Sequence, residues 1–77
     1  MDTTLSDIFA EILKLEIDDV TDDLSIDTVD TWDSLAHLTI VTAIEQEFGI
    51  QFSMVEIQSS ATVGDFRRTL ADHISKR

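Results

Sequence analysis

In Thr31-Trp32-Asp33-Ser34-Leu35-Ala36-His37-Leu38-Thr39-Ile40-Val41-Thr42-Ala43-Ile44-Glu45-Gln46-Glu47-Phe48-Gly49, the residues Leu35, Leu38, Val41, Ile44 and Phe48 recur at steps of three and four. That period is the signature of one buried helix face, and it predicts a helix beginning near Asp33 or Ser34. Gly49 marks its end: a glycine just past the last apolar residue takes the left-handed position that closes a helix. Ile50 is then expected to fold back on Ile44, the apolar contact of a Schellman cap.

Downstream, Ser53 and Glu56 form a capping box, and Phe52 and Ile57 flank it at the positions of a hydrophobic staple. A short helix is expected, ending near Ser59 and Ser60. Thr62 with Asp65 then caps a further helix with Val63, Phe66, Leu70 and Ile74 inward, and Lys76 and Arg77 fall where the helix dipole favours cations. Upstream, Thr4 and Asp7 cap a helix running roughly from residue 4 to 15, with Leu5, Ile8, Phe9, Ile12 and Leu13 on one face.

Residues 16–33 differ from the rest. They are acidic and without period, with Ile17, Val20, Leu24, Ile26, Val29 and Trp32 as scattered apolar anchors. A loop this long in a small domain is generally functional or disordered, and the anchors favour order. Its aspartates do not fit a calcium-binding loop, because the spacing is wrong and the turn glycine is missing.

The chain has 77 residues, no cysteine, no proline and two histidines, His37 and His73. One core is all that such a length can close. With neither disulfides nor a thiolate metal site, helix packing must carry the stability. Asp2 and Asp7 stand where a signal peptide would be basic, and no apolar run is long enough to span a membrane, so a cytoplasmic location is expected. The net charge is −11, and residues 1–33 hold eleven acids against Lys14 alone. Such a field repels nucleic acid and anionic membrane and steers basic protein surfaces inward. Solubility alone would also account for it.

Ser34, at the junction of loop and helix, is the candidate site residue. A serine at a helix start is ordinarily an N-cap. Asp33, Ser34 and His37 also include the residue types of a hydrolase triad, but the nucleophile elbow and the glycine-rich oxyanion loop are missing, and an aspartate beside the serine is badly placed to orient a histidine on the same turn. His37 is expected to lie exposed beside Ser34, Trp32 to anchor the loop end in the core, and His73 to be an ordinary last-turn residue.

Asp33-Ser34-Leu35, the helix ending Ile44-Glu45-Gln46-Glu47-Phe48-Gly49 and the later Ala61-Thr62-Val63 together resemble the acyl carrier protein family, over nearly the whole chain. The resemblance implies an all-α four-helix bundle with three longer helices, one short helix and a long acidic first loop, forming a single carrier domain over residues 1–77. It implies that Ser34 accepts 4′-phosphopantetheine from coenzyme A through a separate magnesium-dependent transferase, and that the terminal thiol of the arm holds acyl groups as thioesters. The reactive sulfur then belongs to the cofactor, so a chain without cysteine suffices. The implied protein is a monomeric carrier and not an enzyme, with no metal site of its own. Its partners are a phosphopantetheinyl transferase and acyl-loading and acyl-transfer enzymes with basic docking surfaces.

Housekeeping members of the family usually place acids just after the modified serine, where this chain has Ala36 and Thr39 with His37 between them. Thr31-Trp32 replaces a Gly-Ala pair, and Ser53 replaces the proline that often opens the third helix. These departures point to a dedicated pathway, such as polyketide or nonribosomal peptide assembly or acyl transfer to a sugar or lipid. The alternatives are a carrier for bulk fatty acid synthesis and an acidic adaptor that binds a basic partner without being modified.

Overall fold

Three capping boxes punctuate the backbone of the computed structural model, which describes residues 4–75. The first opens α1, Leu5–Leu13, where Thr4 Oγ1 accepts the Asp7 N–H and the Asp7 carboxylate accepts the Thr4 N–H. The second opens α3, Met54–Ser59, through Ser53 and Glu56. At α4, Val63–Ser75, Thr62 and Asp65 repeat the pattern. The longest helix, α2, spans Ser34–Phe48, and a single 3-10 turn covers Ile17–Asp19. No strand forms among the described residues, and no helix among them is long and apolar enough to cross a membrane.

Both α1 and α2 end in a left-handed residue. At α2 this is Gly49, with φ 66°, and the Glu45 carbonyl accepts the N–H groups of both Gly49 and Ile50. α1 ends in the same way at Lys14, with φ 60°, so the helix stops two residues earlier than its periodicity suggests. The Ala10 carbonyl then accepts from Lys14 and Leu15, while Thr31 Oγ1 donates to the Leu13 carbonyl at 2.8 Å. A side chain from the end of the acidic loop thereby satisfies one of the orphan carbonyls of α1.

The core joins Phe9 and Leu13 of α1, Ile40, Val41 and Ile44 of α2, Val63, Phe66 and Leu70 of α4, and Trp32 and Phe52 between helices. Phe66 is its hub, with ring centroids 5.7 Å from Phe9, 5.9 Å from Phe52 and 6.4 Å from Trp32. Several apolar residues expected inside are not. Leu35 and Leu38 are 75% and 55% exposed, and α2 instead turns Ile40, Val41 and Ile44 inward. No Asp, Glu, Lys or Arg stands between residues 34 and 44, so no charge tells one side of this helix from the other, and tertiary packing makes the choice. Ile74 lies in the last turn of α4 and is exposed, as are Ile17 and Ile26 of the loop. Lys76 and Arg77 lie outside the described residues.

The loop is ordered by a backbone seam with the start of α4. Val63 and Gly64 donate to the carbonyls of Leu24 and Asp22 at 3.1 and 3.0 Å, and Ile26 donates to the Ala61 carbonyl at 3.2 Å. Two of the free N–H donors that open α4 are thus capped by loop carbonyls. Arg67 adds a salt bridge to Asp22 at 2.9 Å. Gly64 makes the seam possible, because a Cβ built there would lie 3.1 Å from the Asp22 carbonyl oxygen. Replacing an interior helix glycine with alanine ordinarily gains up to about 1 kcal/mol. Gly64→Ala is expected to gain nothing, and Gly64→Leu to lose roughly 1–3 kcal/mol by overpacking, read as a lower urea midpoint. A stabilised leucine variant would show that the seam has room to spare.

Candidate functional site

The start of α2 is built by Asp33, whose extended backbone (φ −103°, ψ −173°) turns the chain into the helix and whose Oδ1 accepts the Ala36 N–H at 2.8 Å. Asp33 is therefore the N-cap, and Ser34 is the first helical residue. This removes the ordinary reason for a serine at a helix start. The Ser34 side chain is exposed, and its hydroxyl has no hydrogen-bond partner among the described residues. The backbone N–H groups of Ser34 and Leu35 are likewise unpaired, as the first donors of a helix are unless something caps them.

Asp33 is exposed beside this hydroxyl, and the α2 residues that follow it include no Asp, Glu, Lys or Arg before Glu45. Leu35 and Leu38 stand out from α2, while Met54 and Val55 of α3 are 68% and 73% exposed. Thr39 and Thr42 turn their hydroxyls back onto the carbonyls of Leu35 and Leu38, at 2.8 and 2.9 Å. A shallow groove of about 340 Å³ runs past Leu38, Thr39, Thr42, Ala43 and Gln46. Ala36 is half-buried and packs on the core, so of the two uncharged replacements noted in the sequence only Thr39 presents a surface.

His37 departs from the expectation of an exposed ring. It is half-buried, with Nδ1 3.1 Å from Trp32 Nε1 and Nε2 2.9 Å from the Ile57 carbonyl. The ring turns inward because two partners, a buried indole N–H and a carbonyl at the end of α3, both need it. Both nitrogens are engaged away from Ser34, and the Asp33 carboxylate serves the Ala36 N–H, so Asp33, Ser34 and His37 form no triad. Trp32 is the anchor expected, 2% exposed and 5.3 Å from Phe9 between ring centroids.

His73 is more than an ordinary last-turn residue: its Nε2 lies 3.0 Å from both carboxylate oxygens of Glu56 and ties α4 to α3. Nothing in the local sequence signals this pair, since the partners are 17 residues apart. The Ser53 backbone N–H, and after it His73, hold the Glu56 carboxyl below its ordinary range. The Ala61 N–H does the same for Asp65, and the Thr4 N–H and hydroxyl for Asp7. A carboxyl that the fold acidifies stabilises it fully above the ordinary carboxylate range, and that stability is lost as pH falls through the lowered value. Urea midpoints are therefore expected to hold from pH 7 to about 4.5 and to decline below it. Glu56→Gln should start from a lower midpoint and decline less steeply, and an unchanged acid limb would mean that this cap carries none of the dependence.

The comparisons with known proteins agree with this geometry. The family model of the phosphopantetheine attachment site matches residues 3–70, and the chain belongs to that family, the acyl carrier proteins. The fold is similar to the solution structure of a holo acyl carrier protein from Geobacter metallireducens, with a TM-score of 0.83 at 26% identity over 94% of this chain and 83% of that one. It is also similar to a Mycobacterium tuberculosis protein designated an acyl carrier protein, with a TM-score of 0.79 at 27% identity over 87% of this chain and 89% of that one. No curated protein sequence matches the chain significantly.

The protein is thus a helical carrier and not itself a catalyst, and the group that its family carries is a covalently attached 4′-phosphopantetheine. An exposed, unpartnered serine hydroxyl beside two unpaired N–H groups is a fitting place for a phosphodiester, which would meet those donors and the positive end of the helix dipole. Phosphopantetheinyl transferases and acyl-handling enzymes are the partners of such carriers.

Proposed function

We propose that Ser34 is the residue that accepts the 4′-phosphopantetheine arm of coenzyme A, and that the 77 residues act as one monomeric, cytoplasmic carrier domain in a dedicated acyl-transfer pathway. The observation that carries the site is the Ser34 hydroxyl itself, exposed and without a partner because Asp33 has taken over the cap. In the transfer, the Ser34 oxygen bonds to the phosphate next to pantetheine, the pyrophosphate link of coenzyme A breaks, and the adenosine bisphosphate leaves. The bound arm supplies a terminal thiol on which acyl groups ride as thioesters. The direct test is intact mass after incubation with coenzyme A, magnesium and a phosphopantetheinyl transferase, followed by peptide mapping. A gain of one phosphopantetheine on Ser34 supports the reading, whereas an unmodified chain would favour an acidic adaptor.

The dedicated pathway rests on the stretch after Ser34, where no Asp, Glu, Lys or Arg stands between residues 34 and 44. The acidic loop steers basic partners toward the molecule, but final contact on Leu35, Leu38, Met54 and Val55 is apolar. The holo protein is expected to serve a housekeeping ketosynthase poorly. Thr39→Glu with Thr42→Glu, both on exposed positions, should recover part of that activity in a salt-sensitive way, since each new exposed pair contributes only about 0.2–1 kcal/mol. Full activity of the unaltered chain with that enzyme would instead assign it to bulk fatty acid synthesis.

A further inference from the structure

We propose that His37 is a positioning residue that, as a neutral imidazole, latches the Ser34 end of α2 to α3 and to Trp32. The latch holds Ser34 in the position in which it is presented to a transferase. The link to presentation rests on Ser34 being the attachment residue; the latch itself does not.

The hydrogen bonds assign the tautomer. An indole nitrogen can only donate, so Nδ1 of His37, 3.1 Å from Trp32 Nε1, must carry no proton. The ring proton then sits on Nε2 and is donated to the Ile57 carbonyl at 2.9 Å. The two ring centroids are 6.2 Å apart with planes 23° from parallel, and the Phe66 ring packs against both, 5.4 Å from His37 and 6.4 Å from Trp32. Trp32 precedes Ser34 by two residues and His37 follows it by three, so these two bonds bracket the serine and fix its helix end against α3.

A second proton on the ring would face the indole N–H donor to donor. The Trp32 N–H is buried and has no other acceptor among the described residues, so the bond is lost outright. No carboxylate compensates. Asp33, on the same turn, is occupied by the Ala36 N–H; Glu56 on α3 is held by Ser53 and His73. On α4, Asp65 bonds Ala61, Thr62 and Arg68, while Arg67 bonds Asp22 and Ser6. His73 has the opposite demand, because a protonated ring strengthens its pairing with Glu56. The short helix α3 is therefore held from two sides, by His37 at the Ile57 carbonyl and by His73 at Glu56.

Trp32 is the only tryptophan in the chain, so its fluorescence reports on the latch directly. At about pH 8 the emission of full-length apo His37→Phe is expected to be shifted from that of the parent, because the indole N–H loses its acceptor. His37→Phe keeps an aromatic ring but neither hydrogen bond, so the shift reports the lost bonds and not a lost ring. Its loading by coenzyme A and a phosphopantetheinyl transferase at pH 8 is expected to be several-fold slower than that of the parent, at equal helical content by circular dichroism. Emission of His37→Phe that matches the parent would overturn the latch. Equal loading rates would overturn its role in presenting Ser34. Should His37→Phe fail to fold, His37→Asn decides the matter: its amide oxygen can stand where Nδ1 does and accept the indole N–H, so its emission is expected to stay near the parent's, and a shifted emission would overturn the latch. A parent chain that is never loaded, or is loaded at another serine, would refute the Ser34 reading while the fluorescence still tests the latch.

Discussion

Ser34→Ala is expected to abolish phosphopantetheine loading completely while leaving stability and helical content as they are. Loss of an N-cap serine would cost about 0.5–2 kcal/mol. Here the cap is Asp33, and the Ser34 hydroxyl bonds nothing among the described residues, so its removal breaks no contact of the fold. The pair Ser34→Ala and Asp33→Ala should therefore separate the two roles: the first loses the modification at unchanged urea midpoint, and the second loses stability but still accepts the arm. Intact mass and equilibrium unfolding on both variants check this. Modification of the Ser34→Ala protein, at Ser25, Ser53 or Ser59 for example, would overturn the assignment.

Phe66→Ala should be the most damaging single change to the fold. Phe66 is fully buried and packs its ring against Phe9, Trp32 and Phe52 and against His37. Truncating a core phenylalanine costs roughly 3–5 kcal/mol through lost burial and the cavity left behind. Small domains have only about 5–15 kcal/mol in total, and each kcal/mol moves the melting temperature of a domain this size by some 4–8 °C. The alanine variant is thus expected to melt more than about 12 °C below the parent or to be largely unfolded, with Phe66→Leu intermediate. A shift of only a few degrees would mean that α4 contributes less to the core than its burial implies.

The parts of this fold that sequence made legible are the parts written locally. Thr4 with Asp7, Ser53 with Glu56, and Thr62 with Asp65 each span three residues, so type and spacing alone predict the cap that forms. Gly49 was legible for the same reason, whereas Lys14 adopts the same left-handed geometry without the residue that normally announces it. The inner face of α2 was only half legible, because an uncharged helix offers several apolar stripes and the neighbours select one. The inward turn of His37 depends on a carbonyl 20 residues away, and the seam between loop and α4 is made by backbone groups that leave no trace in side-chain pattern beyond Gly64. The choice of Ser34 as the candidate site rests on family resemblance. Residue chemistry alone favoured a capping role that Asp33 in fact fills.

The seam between the loop and α4 also sets a clock. Each helix of this chain forms from neighbours in sequence, on the order of microseconds or less. The joining of the loop to α4 must bring together partners such as Asp22 and Arg67, 45 positions apart, and loop closure over that span makes it a late event. During synthesis, residues 61–75 leave the ribosome well after Ser34 does. Trp32, two residues before Ser34, packs on Phe66 of α4, so a transferase that recognises that turn is expected to favour chains in which α4 has docked over nascent and truncated ones.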